Sequence, residues 1–258
     1  MLDRLFLVRH GFRMSSTLWV GSTTGLERDP PLTAHGVEQV RHLAAHVADL
    51  PPAERPELVI SSPYQRCLNS AAPLAHALGV RLCAEPGLGE WYPPLSSGAR
   101  HPAPPSAAHL ADERVSGAWT PLLYPPPHGE SIDGLRARMH EVLRRIEARC
   151  AAWGVRRVML VAHAATNIAL AQVLLAGGVH GAAVHVVRAA TASTTELLHT
   201  PRGWACVRNG DTSYLPDGSE REWDFSFLPD NPTEPGMPPG WVDPHAPEDA
   251  SLLFVSKL

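Results

Sequence analysis

Apolar and polar positions fall into blocks along this chain, and the blocks have the lengths of strands and helices. Leu5 to Val8 is a continuous apolar run that stops at Arg9-His10-Gly11. A run without polar alternation marks a strand covered on both faces, as in a parallel or mixed sheet between layers of helices. Residues 34–49 carry Val37, Val40, Leu43, Ala44 and Val47 at helical spacing, with Thr33 as N-cap and Pro51-Pro52 as the stop. Leu58-Val59-Ile60 predicts a second buried strand ending at Ser61-Ser62-Pro63, and residues 65–78 predict a helix closed by Gly79. Ser131 caps a long helix to about residue 152, whose core face carries Ile132, Leu135, Met139, Val142, Leu143, Ile146 and Cys150. Val158 to Val161 predicts a third buried strand, ending at Ala162-His163, and residues 165–176 predict an apolar helix before Gly177-Gly178. This strand–helix alternation predicts an α/β fold, a three-layer α/β/α sandwich on a mostly parallel sheet.

Two stretches break the pattern. Residues 93–128 are rich in proline and poor in periodic apolar positions, and read as a long insertion over one end of the sheet. Residues 229–250, rich in proline and acidic groups, read as an extended C-terminal tail. The expected organisation is one domain over residues 1–200 and a C-terminal part, 201–258, made of a peripheral hairpin with Asn209-Gly210 at its turn and the tail.

Composition narrows the classes of function. Of 258 residues, 44% are apolar and 19% charged, and the net charge is −4, so bulk charge gives no reason to expect direct nucleic-acid or membrane-surface binding. Cys67, Cys83, Cys150 and Cys206 form no C-x-x-C pair and no zinc-like spacing, and read as reduced, mostly buried thiols. The apolar start, residues 1–8, is too short for a signal segment, and no run reaches membrane-spanning length. The expected location is cytoplasmic or nuclear.

Chemistry gathers where strands end. In open α/β sheets ligands bind beyond the carboxyl ends of strands. Three such ends carry Arg9-His10-Gly11, Ser61-Ser62-Pro63-Tyr64-Gln65-Arg66 and Ala162-His163. Parallel strands would bring two histidines and at least two arginines to one rim. Arg matches phosphate oxygens with a planar fork of donors and stays charged. An unprotonated imidazole can attack phosphorus, and a cationic surrounding keeps it unprotonated. One histidine among 14 carries little weight alone; the joint placement makes His10 the candidate nucleophile, with Arg9, Arg66 and His163 around the phosphate. The leaving oxygen needs an acid, and Glu90 is the candidate, with Trp91 and Tyr92 beside it expected to desolvate it and raise its pKa.

At these residues the chain resembles the histidine phosphatase superfamily, in its phosphoglycerate-mutase-like branch. The resemblance rests on Leu7-Val8-Arg9-His10-Gly11, Pro31-Leu32-Thr33-Ala34-His35-Gly36 with Gln39, Ser61-Ser62-Pro63-Tyr64-Gln65-Arg66-Cys67, Gly129-Glu130-Ser131 and Leu160-Val161-Ala162-His163, in order over residues 1 to about 200. It implies that His10 takes the phosphoryl group, that Arg9, Arg66 and His163 hold it, that Glu90 is the proton donor, and that no metal or other cofactor takes part. Phe12-Arg13 stands where many members have Glu-Thr, which speaks against a mutase role and adds Arg13 as a further phosphate contact; a phosphoglycerate mutase or sugar-phosphate phosphatase is the alternative that shares this chemistry with a different substrate. The usual Gly-His-Gly is Ala162-His163-Ala164.

Arg9 to Arg13, Ser62 to Leu68, Gly89 to Tyr92 and His163-Ala164-Ala165 are also similar to the histidine-phosphatase domain found in the tau subunit of fungal transcription factor TFIIIC and in its free-standing fungal relatives. A shorter likeness runs from Gly203-Trp204 to Thr212 and then Trp223-Asp224-Phe225. These resemblances imply a phosphatase acting on a small molecule or phosphopeptide, or an interaction subunit whose partners are transcription-complex subunits.

Overall fold

The computed structural model describes residues 1–14, 29–95, 100–102 and 114–226. Six strands form one sheet: β1 (Arg4–Arg9), β2 (Leu58–Ser61), β3 (Arg81–Ala84), β4 (Arg157–Ala162), β5 (Thr194–Thr200) and β6 (Gly203–Asp211), in the order β3-β2-β4-β1-β5-β6. The first four are parallel, and β5 and β6 add an antiparallel edge. Four helices cover the sheet: α1 (Ala34–Asp49), α2 (Gln65–Leu78), α3 (Ile132–Trp153) and α4 (Ala164–Ala176).

Side chains alternate across a strand, so each central strand feeds two cores. Leu5, Leu7, Leu58, Ile60, Val158 and Leu160 pack with Leu135, Met139 and Ile146 of α3 and Ile168 of α4. Phe6, Val8, Val59, Met159 and Val161 pack on the other side with Leu43 and Val47 of α1 and Leu74 of α2. This is the expected three-layer sandwich. α4 has no polar stripe because almost every position is buried, between the sheet, α3 and β6.

The helix ends follow the expected chemistry. Thr33 Oγ1 accepts from the Gly36 amide, Ser131 Oγ accepts from the Gly134 amide, and Gly79 closes α2 with φ +66°. Three details differ from the sequence reading. Val37 is 40% exposed, and the buried face of α1 is Gly36, Gln39, Val40, Leu43, Ala44 and Val47. β3 has only Leu82-Cys83-Ala84 as its apolar signature and escapes a periodicity search. The edge hairpin turns at Pro201-Arg202, between β5 and β6, whereas Asn209 and Gly210 lie inside β6. Asn209 instead bonds Val186 and Arg188 through its amide, accepting from the Arg188 N–H at 2.9 Å and donating to the Val186 carbonyl at 3.0 Å.

The described part of the insertion is tied to the carboxyl end of β3. Glu85, fully buried, accepts from the amides of Gly87, Leu122 and Leu123 and from Trp119 Nε1, all at 2.9–3.0 Å. Burial pushes the Glu85 carboxyl up, although all four donors favour its ionised form. The tail segment 229–250 lies outside the described residues. No described helix is long and apolar enough to cross a membrane.

Candidate active site

The order β2-β4-β1 places three parallel carboxyl ends side by side, and His10, Ser62 and His163 each follow one of them. The chain after β1 turns directly onto α1. A Cβ at Gly11 would lie 2.7 Å from the Gly36 carbonyl oxygen, and one at Gly36 would lie 2.0 Å from that of Phe12. Both positions therefore require glycine. The Phe12 amide donates to Gln39 Oε1 at 2.9 Å, and the Thr33 amide donates to the Phe12 carbonyl at 2.9 Å.

This packing fixes the His10 ring. Its Nδ1 lies 2.7 Å from its neighbour's carbonyl, Gly11 O, and donates its proton there, which leaves Nε2 with the lone pair. Burial, then the charges of Arg66 and Arg9, hold His10 well below the usual histidine range. At neutral pH it is an uncharged base with one free nitrogen. The His163 ring stands edge-on to it, with centroids 5.6 Å apart.

His163 sits at the N-terminus of α4, where helix amides favour an anion. Its Nε2 lies 2.9 Å from Ser62 Oγ, and its Nδ1 lies 3.1 Å from Arg66 Nη2 and 3.2 Å from Glu90 Oε2. With its proton on Nδ1, His163 donates to Glu90 and accepts from Ser62; with the proton on Nε2, it donates to Ser62 and accepts from Arg66. Burial outweighs the pull of Glu90 and holds its pKa at about 4.

The two arginines are anchored differently. Arg9 Nη1 donates to the carbonyls of Ala189 at 2.7 Å and Arg221 at 2.5 Å. Burial lowers it to about 10, still a cation at neutral pH. Arg66 Nη2 reaches Glu90 Oε2 at 3.3 Å, and its Nη1 faces Asp29 Oδ1 at 3.6 Å. Among the described residues, Arg9 Nε, Arg66 Nε and Arg66 Nη1 are buried without a hydrogen-bond partner. Unsatisfied buried donors are costly, and a cluster of them around a histidine suits a tetrahedral oxyanion.

Arg13 bonds the Met14 carbonyl at 2.9 Å and lines, with Arg9, His10, Glu90, Ala164, Ala165 and Trp223, a small, narrow cleft. Each residue singled out in the sequence thus lies at this cleft or, for Arg66 and His163, in direct contact with Glu90 in its wall. Glu90 also borders a second, larger cavity, of about 240 Å³, walled by Tyr64, Tyr92, Tyr124, Pro125 and Arg100.

One expectation is corrected. Trp91 and Tyr92 are buried beside Glu90, and burial does push its carboxyl up, but His163, Arg66 and the Trp91 amide pull it down further, to about 2. In the free protein Glu90 is an anion. The charges that outweigh the burial, His163 and Arg66, come from elsewhere in the chain. The reading also missed Asp29, Ser62 as a partner of His163, and Trp223. The only signal for Trp223 was the short Trp223-Asp224-Phe225 likeness.

The α/β/α sandwich carries two neutral histidines and two buried arginines at the carboxyl ends of its parallel strands, an arrangement suited to an oxyanion, on a fold of the phosphoglycerate-mutase type. The chain belongs to the histidine phosphatase superfamily, branch 1, whose model matches residues 5–212. It is similar to the transcription factor tau 55 kDa subunit of Saccharomyces cerevisiae, 27% identical over 267 aligned positions that cover 88% of this chain. The match spans 60% of that subunit's length. Among solved structures, the ecdysone phosphate phosphatase of Bombix mori, in complex with tungstate, matches with TM-score 0.62 and 16% identity over 81% of this chain and 93% of its own. A mycobacterial glucosyl-3-phosphoglycerate phosphatase, complexed with VO3, matches with TM-score 0.54 and 23% identity over 81% of this chain and 100% of its own. At these identities the likeness is one of fold.

Proposed function

We propose that this protein is a metal-independent phosphatase that hydrolyses phosphomonoesters through a phosphohistidine intermediate on His10. The observation that carries the reading is the His10 ring: Nδ1 is committed to the Gly11 carbonyl, and Nε2 is left as a lone-pair nitrogen beside buried arginine donors that lack acceptors. In this reading Arg9, Arg13, Arg66 and His163 hold the phosphoryl oxygens and offset the charge that develops in transfer. His10 Nε2 attacks phosphorus in line, the ester P–O bond breaks, and Glu90 gives a proton to the leaving oxygen. Water then attacks the phosphohistidine, with the Glu90 carboxylate taking its proton, and the P–N bond breaks, releasing phosphate and returning the lone pair to His10 Nε2. The leaving group would occupy the tyrosine- and proline-walled cavity that shares Glu90 with the cleft. Phe12, buried where many relatives have glutamate, speaks against a mutase.

The test is hydrolysis of an aryl phosphate by the wild type and by His10→Ala. Wild type should turn over, and the variant should lose roughly a thousandfold or more. Comparable turnover by cleanly purified His10→Ala overturns the mechanism.

The likeness to the tau 55 kDa subunit supports a second reading, an interaction subunit of a TFIIIC-like assembly serving RNA polymerase III in the nucleus, with its phosphatase site secondary. Co-purification with transcription-complex subunits would favour this reading, whereas a monomer with His10-dependent turnover would favour the free enzyme.

A further inference from the structure

The family match ends at residue 212, yet the described chain runs on to Ser226 and returns to the cleft. This segment has no helix or strand and is held by side chains. Tyr214 Oη donates to the Ala192 carbonyl at 2.6 Å. Glu220 accepts from Gln39 Nε2 at 2.5 Å and pairs with His35 at 2.6 Å, so it is fixed to α1. The Arg221 carbonyl receives Arg9 Nη1, and the Arg221 guanidinium lies 3.6 Å over the Phe12 ring. The segment is thereby tied to both neighbours of the His10-Gly11 pair.

These anchors deliver Trp223 to the wall of the cleft, 4% exposed, beside Arg9, His10, Arg13 and Glu90. Its ring packs on Phe225 at 5.2 Å and near Trp91 at 6.5 Å between centroids. Its indole N–H is buried without a hydrogen-bond partner among the described residues. A buried tryptophan normally finds an acceptor for this proton. The acceptors in the cleft wall, His10 Nε2 and the Glu90 carboxylate, do not come within hydrogen-bond distance of it. Arg9 and Arg13 only donate. Glu90 Oε1 is held by the Trp91 amide, and Oε2 faces Arg66 and His163. The acceptor that fits is the same anion that the arginines call for.

We propose that Trp223 is a substrate-binding residue whose indole N–H donates to a non-bridging phosphoryl oxygen, so that the segment beyond the family domain completes the phosphate cradle. A neutral donor adds a directed hydrogen bond without adding charge beside His10. The inference rests on the phosphatase reading only in taking the bound group to be phosphate.

The test uses the full chain and orthovanadate or inorganic phosphate as probe. Trp223→Phe keeps an aromatic ring and removes the donor. It should bind orthovanadate about tenfold or more weakly by calorimetry and raise KM for an aryl phosphate in proportion. The second measurement reads the proton itself: in 15N-indole-labelled protein, the resonance missing from Trp223→Phe should move downfield when phosphate is added to wild type. If the phenylalanine variant does not fold, benzothienylalanine at 223, an isostere without the N–H, takes its place. Undiminished vanadate affinity in either folded variant, or an indole resonance that phosphate does not move, overturns the role of Trp223. If wild type turns over and only those results fail, the phosphatase reading stands alone. If wild type binds anion through Trp223 without His10-dependent turnover, the reverse holds. A wild type that binds neither anion overturns both.

Discussion

In the free protein Glu90 is an anion, because His163, Arg66 and the Trp91 amide outweigh the cost of its burial. An acid catalyst must carry a proton when the ester bond breaks. The two facts agree if substrate brings the proton. A phosphate monoester loses its second proton near pH 6, and its monoanion can pass that proton to Glu90 as the phosphate takes over the attention of Arg66 and His163. The productive complex then holds one proton between Glu90 and phosphate. Above about pH 6 the dianion arrives without it and kcat/KM should fall. On the acid side His10 must stay neutral, and its depressed pKa moves that limb well below the usual histidine value. The expected profile is therefore an acidic optimum, readable from kcat/KM against pH. Glu90→Gln should lose roughly a hundredfold on an alkyl phosphate and less on a nitrophenyl phosphate, whose leaving group needs little protonation. Full activity of Glu90→Gln on the alkyl ester would exclude Glu90 as the acid.

At the scale of elements, legibility followed the strength of local signals. β1, β2 and β4 were readable because they are buried on both faces and so keep unbroken apolar runs; α1, α2 and α3 were readable because Thr33, Gly79 and Ser131 mark their ends chemically. β3 was not, since three apolar residues carry too little pattern. Asn209-Gly210 misled because an Asn-Gly pair signals a turn by local preference, whereas here Asn209 is occupied by the backbone of Val186 and Arg188. The insertion was legible only as proline-rich, and much of what ties its described part to the sheet comes from residues at a distance, among them the Leu82–Val115 bridge, Arg145 on the Leu122 carbonyl, and Glu85. Glu85 gathers Trp119, Leu122 and Leu123 onto β3. Glu85→Ala leaves these donors without an acceptor and should cost roughly 3–5 kcal/mol, read as a lower urea midpoint. Because Tyr124 and Pro125 follow directly and wall the larger cavity, KM should rise more than kcat falls. A midpoint within about 0.5 kcal/mol of wild type would mean that the insertion is held in place without Glu85.

For the whole molecule, the site's chemistry and the fold's stability draw on the same buried groups. The convergence of His10, Arg66 and His163 was legible as a consequence of parallel strand order, but the arrival of Glu90 beyond β3, their mutual charges, and the return of residues 212–226 depend on contacts between distant parts of the chain that no local pattern encodes. Those contacts set an acid limit on stability. His10 and His163 are folded as neutral rings, with His163 at about 4 and His10 well below its usual value. The unfolded chain protonates both near pH 6.5, so it binds more protons than the folded state below that pH. Stability is therefore fully present above about pH 6.5 and falls as pH drops towards 4, by at most about 1.4 kcal/mol per pH unit for each histidine. Glu90 acts in a lower window: its stabilisation is present above the ordinary carboxylate value and is lost only as pH falls towards about 2. Between pH 6 and 4.5 the histidines thus dominate among these site groups. Urea midpoints measured across that range should decline in wild type, and His10→Gln, which has nothing to protonate, should decline less steeply. Parallel profiles would mean that His10 titrates alike in the folded and unfolded chain, and an imidazole that does so lacks the depressed pKa on which its role as a free nucleophile depends.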